Sequence, residues 1–233
     1  AKTLDVKAHS VDNQKGVLSG DVLNVVASSG ELNNHEGSLL SNTDSVISAQ
    51  GLDNRSGNIQ SNGTVSMSTN GLVLNNQKGK VSANTLDVVS GDVINSQGAL
   101  SANNQLTITA GNINSQSGTI QSGKNLKMTA ADVNNDEGLI YAQQAELSVK
   151  HLSNQRTNSQ EAGIQADQLR IDAISLNNTQ GQIVSSQDLP LTVSDSLINT
   201  QGLISTNGVL TIGSNASKQP TITNSQGRIQ SGK

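Results

Sequence analysis

The stretch Leu176-Asn177-Asn178-Thr179-Gln180-Gly181-Gln182-Ile183-Val184-Ser185 decides the fold, because its pattern returns along the whole chain. The pattern is an apolar residue, a free position, Asn, two free positions, Gly, a free position, a branched aliphatic residue, a free position and a small residue. A sequence that repeats at a fixed period of about 20 residues or more indicates a solenoid, in which every repeat forms one coil of a stack.

Eleven copies of the pattern follow one another at steps of 19 to 25 residues. Ten copies carry asparagine at the third position and one carries serine: Asn13, Asn34, Asn54, Asn76, Asn95, Ser115, Asn135, Asn154, Asn178, Asn199 and Asn224. Glycine follows three residues later in every copy except the one at Asn154. Each copy then reaches a branched aliphatic residue and, two residues further on, a small residue.

The alternation within each copy predicts β-strands. An aliphatic residue, a free position and a small residue have period two, so the two specified side chains point to the same face. A second alternating segment follows, as in residues 106–110 and 126–130, and a short third segment leads into the asparagine. Strands this short are stable only when stacked coils pair them at about 4.8 Å. The sequence therefore predicts an all-β fold, a parallel β-helix of about eleven coils of about 20 residues, as a single array over residues 1–233.

The Asn and Gly columns are interpreted as parts of a turn. We expect the glycine to adopt a positive φ, and the asparagine beside it to tolerate left-handed backbone. Stacked asparagine side chains are also expected to hydrogen-bond from coil to coil as a ladder. The small column accounts for the absence of Phe and Trp, because an interior closed by strands on two or three sides has no room for them.

The composition excludes several classes of protein. The chain has no Cys, so it has neither a disulfide framework nor a thiolate metal site. Its 14 basic residues are dispersed and its net charge is −4, which argues against nucleic acid as a partner. No run approaches the roughly 18 apolar residues of a membrane span. Both ends cut through a copy, near residues 4–6 and 229–233, so the chain is expected to be a fragment of a longer filament.

Catalysis is an alternative function, because parallel β-helices include polysaccharide lyases and hydrolases. General acid-base chemistry needs carboxylates held together, whereas the acidic residues here fall in different columns. Asp136 and Glu137 are adjacent and are interpreted as a solvated charge pair in a turn. The histidines, His9, His35 and His151, occupy different repeat positions, so no metal site is predicted. We expect no enzyme activity, cofactor or small-molecule substrate; a cleft lined by several Asp with Arg or Lys would favour the enzyme.

Two irregular coils are the candidate sites of partner contact, since insertions in solenoids form loops on one face. The first loop covers residues 155–163 and lacks the aligned glycine; Arg156, Asn158 and Glu161 are its candidate contact residues. The second covers residues 213–221 and contributes Lys218. Tyr141, the single aromatic residue, falls in an outward column of Ser and Gln and is a further candidate, because an exposed ring can anchor an interface.

The repeat resembles the haemagglutinin repeats of filamentous haemagglutinins and contact-dependent growth-inhibition exoproteins. The clearest matches are residues 74–81, 133–140, 176–183 and 197–204. The resemblance implies a right-handed β-helical shaft that a Gram-negative bacterium secretes through an outer-membrane two-partner transporter and displays on its surface. It also implies a role in cell adhesion or in contact-dependent toxin delivery. An alternative is that this segment itself binds a receptor on a neighbouring bacterial or host cell.

Overall fold

The computed structural model describes residues 2–159 and 161–233, and within these ranges the chain is an all-β solenoid of about ten turns. Every strand pairing is parallel, as the repeat predicted. No helix in the described residues is long and apolar enough to span a membrane.

The described residues form 25 strands, most of them short. The first nine are β1 Thr3–Ala8, β2 Val11–Asp12, β3 Val17–Gly20, β4 Val22–Ala27, β5 Leu32–Asn33, β6 Ser38–Ser41, β7 Ser45–Ser48, β8 Leu52–Asp53 and β9 Asn58–Ser61. The next eight are β10 Thr64–Ser68, β11 Val73–Asn75, β12 Lys80–Val89, β13 Asp92–Ile94, β14 Ala99–Thr109, β15 Asn112–Asn114, β16 Thr119–Ser122 and β17 Asn125–Asn134. The last eight are β18 Leu139–Ser153, β19 Gly163–Asn177, β20 Gln182–Ser185, β21 Leu189–Ile198, β22 Leu203–Thr206, β23 Leu210–Gly213, β24 Thr221–Thr223 and β25 Arg228–Ser231.

Each coil contributes to three stacked faces. The first face follows the turn glycine and begins with the pairing of β3, β6 and β9. The second face begins with β1, β4 and β7, and the third, which leads into the asparagine, begins with β2, β5 and β8. Longer strands such as β18 and β19 continue around the corners and contribute to all three faces. The coil is therefore three-sided.

The core is a set of aliphatic columns that run along the stack. On the first face, Ile120, Ile140, Ile164 and Ile183 are register partners in successive coils, and none of them is exposed to solvent. Burying a side chain of this size contributes about 1.5–3 kcal/mol to folding. Because every coil adds aliphatic residues at the same positions, the core lengthens with the number of coils while its cross-section stays narrow.

The turn glycines are required for a different reason from the one expected. None of the turn glycines in the described residues has a positive φ, so that prediction was wrong. The positive φ falls one residue earlier, for example 56° at Lys78. A Cβ on the following Gly79 would lie 2.5 Å from Oδ1 of Asn76 and closer still to the carbonyl oxygen of Asn54 in the preceding coil. The glycine column therefore reflects the close stacking of successive turns.

The asparagine ladder is confirmed, but its residues are not left-handed. No asparagine of the column has a positive φ in the described structure. Asn76 shows what these residues do instead: its Nδ2 donates to Oδ1 of Asn95 at 2.7 Å and to the carbonyl oxygens of Gly79 at 3.3 Å and Ala99 at 3.2 Å. The side chain is fully buried. Each asparagine thus joins its own turn to the next coil.

Candidate interaction surfaces

The loop of residues 158–162 begins where the turn glycine is missing; of its residues, 158–159 and 161–162 are described by the structure and 160 lies outside the described residues. Thr157 occupies the glycine position and is buried, with its Oγ1 donating to the carbonyl oxygen of Asn154 at 3.3 Å and accepting from N of Gln182 at 3.1 Å. The residues that follow, Asn158 and Ser159, are exposed. The chain returns to the shaft at Gly163, whose φ of 95° suits glycine.

Two glutamine side chains fix the base of this loop. Nε2 of Gln182 donates to the carbonyl oxygens of Ser159 at 2.7 Å and Ala162 at 2.9 Å. Nε2 of Gln165 donates to the carbonyl oxygen of Ala162 at 2.8 Å. The side chains of Asn158 and Glu161 remain exposed. The loop is therefore a projection with a fixed base and solvent-facing polar groups.

Arg156 lies at the left-handed position of the turn, with a φ of 55°. Its Nε donates to Oε1 of Glu137 in the preceding coil at 2.9 Å, and its Nη2 lies 3.6 Å from Oδ2 of Asp136. The hydrogen bond from Arg156, with a second from Ser117, lowers the pKa of Glu137 below its ordinary value. The guanidinium is about half exposed, so it borders the loop while pairing with both acids.

Asp136 is not part of a solvated charge pair, and that interpretation was wrong. Its side chain is buried, and Oδ1 accepts hydrogen bonds from Oγ of Ser153 at 2.6 Å and N of Gln155 at 2.9 Å. Glu137 beside it is exposed, as expected. The sequence placed both acids in one turn, but only the stacking of the next coil reveals that Asp136 binds that coil's backbone.

Tyr141 lies on the outer side of the first face and is 43% exposed. Its register partners are Gln121 in the preceding coil and Gln165 in the following one. Gln165 is also one of the glutamines that hold the loop of residues 158–162. The structure therefore places the ring beside a residue that contacts the base of the loop.

Lys218 lies in a separate place. Its loop joins β23 to β24, at the corner between the second and third faces, whereas residues 158–162 project between the third and first faces. Oγ of Ser214 donates to the carbonyl oxygen of Lys218 at 3.0 Å and accepts from N of Ala216 at 3.0 Å. Of the five candidate contact residues, four thus lie around one loop and Lys218 lies on another corner.

The titratable side chains of the described residues do not form a metal-binding or catalytic cluster. Among the described residues no three or more His, Cys, Asp or Glu side chains are placed to hold a metal ion. Asp132, His151 and Ser175 are register partners on the third face, and Nδ1 of His151 lies 2.7 Å from Oγ of Ser175. A nucleophilic triad needs an acid that orients the histidine. No ion pair joins Asp132 to His151 in the part of the chain that the structure describes.

The residue before the ladder asparagine has a role that the sequence reasoning missed. In Asn177, Oδ1 accepts a hydrogen bond from N of Thr179 at 3.1 Å, which is an Asx turn that begins the corner. The same contact is made by Asp12, Asn33, Asp53, Asn75, Asn114 and Asn134. The recurring Asn or Asp at this position was the available signal.

Comparison with known proteins agrees with the repeat. A family model described as a haemagglutinin repeat matches residues 1–36, 19–82, 65–189 and 164–232, which together cover all but the last residue. No curated protein and no solved structure matches the chain.

Proposed function

The chain belongs to the haemagglutinin-repeat family, and we propose that it is an adhesive shaft displayed on the surface of the bacterium that secretes it. The family supports a filamentous haemagglutinin-like adhesin segment, since its repeats are structural and adhesive rather than enzymatic. The proposal adds export through an outer-membrane two-partner transporter and contact with a receptor on a neighbouring bacterial or host cell. In a toxin-delivering parent protein, the same shaft would hold the toxin away from the secreting cell.

The observation that carries this proposal is the separation of inside from outside. The interior repeats from coil to coil, with one aliphatic column and one asparagine column holding successive turns together. The outward positions change freely: the column of Tyr141 holds Gln121 on one side and Gln165 on the other. About ten turns at the strand spacing give a rod of roughly 50 Å. Such a rod displays variable contacts on a constant support.

The main proposed contact surface is the loop of residues 158–162 with the residues around it. Asn158 and Glu161 are exposed on the loop, Arg156 borders it, and Tyr141 lies next to a glutamine that holds its base. Loops on a rigid scaffold are common binding sites, and a partly exposed ring is a suitable anchor. Lys218 on the second loop is proposed as a further contact.

The test is a variant with a standard turn in place of the loop. Deleting residues 158–162 and introducing Thr157→Gly restores the spacing and the glycine of the other ten copies. Binding of the labelled, purified chain to intact bacterial and host cells is measured for this variant and for the control Gln77→Ala, an exposed turn residue on another coil. We expect the loop variant to lose saturable binding and the control to keep it.

Unchanged cell binding by the loop variant would overturn the assignment of this surface. Both variants must also retain the circular dichroism spectrum and thermal transition of the parent chain. Because the variant turn copies ten turns that already fold in this array, a fold defect is not expected.

A further inference from the structure

A shallow groove of about 1090 Å³ runs along the shaft over the second face and its corner with the first. Amide side chains line it in successive coils, and it is called here the amide groove: Gln105, Asn125, Gln144, Gln168, Gln187 and Asn207. The first four are register partners, so one amide follows another at the strand spacing of about 4.8 Å. The groove lies apart from the loop of residues 158–162.

The two central amides are free to bind. Gln168 donates to Oε1 of Gln187 at 3.1 Å, and Gln105 donates to Oγ1 of Thr107 at 3.3 Å. The side chains of Asn125 and Gln144 make no hydrogen bond to another described residue, and both are exposed. Each therefore presents two donors and an acceptor to solvent. This differs from the buried asparagine ladder, in which the amides satisfy one another.

The fold does not require amides at this position. In the preceding coils, Thr64 and Thr85 occupy the same register position as Gln105. Threonine has a higher β-propensity than asparagine. Strand formation therefore does not explain why four successive coils carry an amide at this position.

Lys233 also lines the groove and makes no ion pair within the described residues, whereas the other charged side chains there are paired or hydrogen-bonded. Nζ of Lys127 lies 4.0 Å from Oε2 of Glu146, and Arg170 makes two hydrogen bonds to Asp172, at 2.9 and 3.1 Å. Asp188 accepts a hydrogen bond from a backbone N–H at 2.8 Å. Recognition of sulfate or phosphate groups calls for unpaired cations. Asn125 and Gln144, the two free amides, offer neutral donors and acceptors instead.

We propose that the amide groove binds a linear, neutral polysaccharide, with Asn125 and Gln144 hydrogen-bonding the hydroxyl groups of successive sugars. A hydroxyl group donates and accepts at once, as an amide does, so the two groups are complementary. The spacing of the coils is close to the length of one sugar in an extended chain, so hydroxyl groups of two neighbouring sugars can reach the two amides. This inference adds a ligand class and a second surface to the proposed adhesive function.

The experiment is isothermal titration calorimetry of the whole chain with three probes: β-1,4-linked hexasaccharides of glucose and of N-acetylglucosamine, and a heparin hexasaccharide. The groove variant combines Asn125→Thr and Gln144→Thr, using the residue that the chain itself has at this position. The matched control combines Gln77→Thr and Gln116→Thr, two exposed amides in turns away from the groove.

We expect saturable binding of at least one neutral hexasaccharide, about tenfold weaker in the groove variant and unchanged in the control. Nuclear magnetic resonance of the unmodified chain supplies a readout that needs no variant: the side-chain NH₂ signals of Asn125 and Gln144 should shift on titration. Binding of neither neutral probe, equal affinity in the groove variant, or binding of heparin alone would overturn the proposal. Loss of cell binding on shortening the loop would leave this result unaffected, so the two proposals fail separately.

Discussion

Oδ1 of Asn135 accepts no hydrogen bond from Ser115, although the two residues occupy neighbouring rungs of the asparagine ladder. Asn95 donates to Oγ of Ser115 at 3.0 Å, and Asn135 donates to Oδ1 of Asn154 at 2.8 Å. Between them, the shorter serine side chain does not reach, and Oδ1 of Asn135 is buried without a partner in the described residues. An unsatisfied buried oxygen costs about 1–3 kcal/mol, so this is the weakest rung of the ladder.

The variant Ser115→Asn should therefore stabilise the protein. Asparagine occupies this position in the other ten copies, so the backbone accommodates it, and its Nδ2 would donate to Asn135. We expect the free energy of unfolding to rise by about 1–2 kcal/mol, measured by urea denaturation. The control is Gln116→Asn at the adjacent exposed position. A variant no more stable than the parent would show that the missing rung has no energetic weight.

A second prediction separates two constraints on the turn: close stacking at the glycine and a positive φ at the residue before it. Gly79→Ala should lower the free energy of unfolding by about 3 kcal/mol or more, because its Cβ would overlap the backbone of Asn54. Lys78→Gly, one residue earlier at a φ of 56°, should change it by no more than about 1 kcal/mol, since strain is relieved while the unfolded chain gains freedom. Thermal and urea unfolding of the two variants give the comparison. Equal effects would refute the stacking explanation.

A third prediction concerns which side of the first face is buried. Ile120→Ala should cost about 2–5 kcal/mol, because the side chain is fully buried between Leu100 and Ile140 of the neighbouring coils. Gln121→Ala at the next position points outward and should cost less than about 0.5 kcal/mol. Both values come from the same urea titration. Similar costs at the two positions would contradict the assignment of inside and outside.

A fourth prediction follows from the Asp53–Arg55 pair. Burial raises the pKa of Asp53, but Arg55 outweighs it through hydrogen bonds of 2.6 to 3.0 Å and through its charge, so the pKa lies below its ordinary value. The carboxylate then adds stability above its unfolded pKa, and this contribution is lost as the pH falls through the lowered folded value.

The variant Arg55→Ala keeps the backbone hydrogen bond from residue 55 and removes the hydrogen bonds and the charge of the guanidinium. We expect the pKa of Asp53 to rise. The pH dependence of its carboxyl ¹³C chemical shift measures this pKa. Arg170→Ala, which removes the partner of Asp172 elsewhere on the shaft, is the matched control and should leave Asp53 unchanged. If Arg55→Ala also leaves the pKa of Asp53 unchanged, then the Arg55 side chain does not lower this pKa.

Features that follow from a residue type repeated at one position were accessible from the sequence. The buried column through Ile120 and Ile140 follows from period-two alternation, and the asparagine ladder follows from repetition of one residue at one spacing.

Contacts between coils that no repeated residue marks were not accessible. The need for Gly79 arises from the carbonyl oxygen of Asn54 above it, and the burial of Asp136 arises from the turn at Gln155 in the next coil. The amide groove likewise exists only in register, since Asn125 and Gln144 are 19 residues apart in the chain. Such contacts can be predicted only once the register between neighbouring coils is known.

The central claim is that this shaft is adhesive, and the most direct measurement is a binding isotherm. Labelled, purified chain is titrated onto intact bacterial cells and onto host cells, with unlabelled chain as the competitor. The proposed function predicts saturable binding to at least one cell type that the unlabelled chain displaces. The absence of saturable, displaceable binding on both cell types would contradict it.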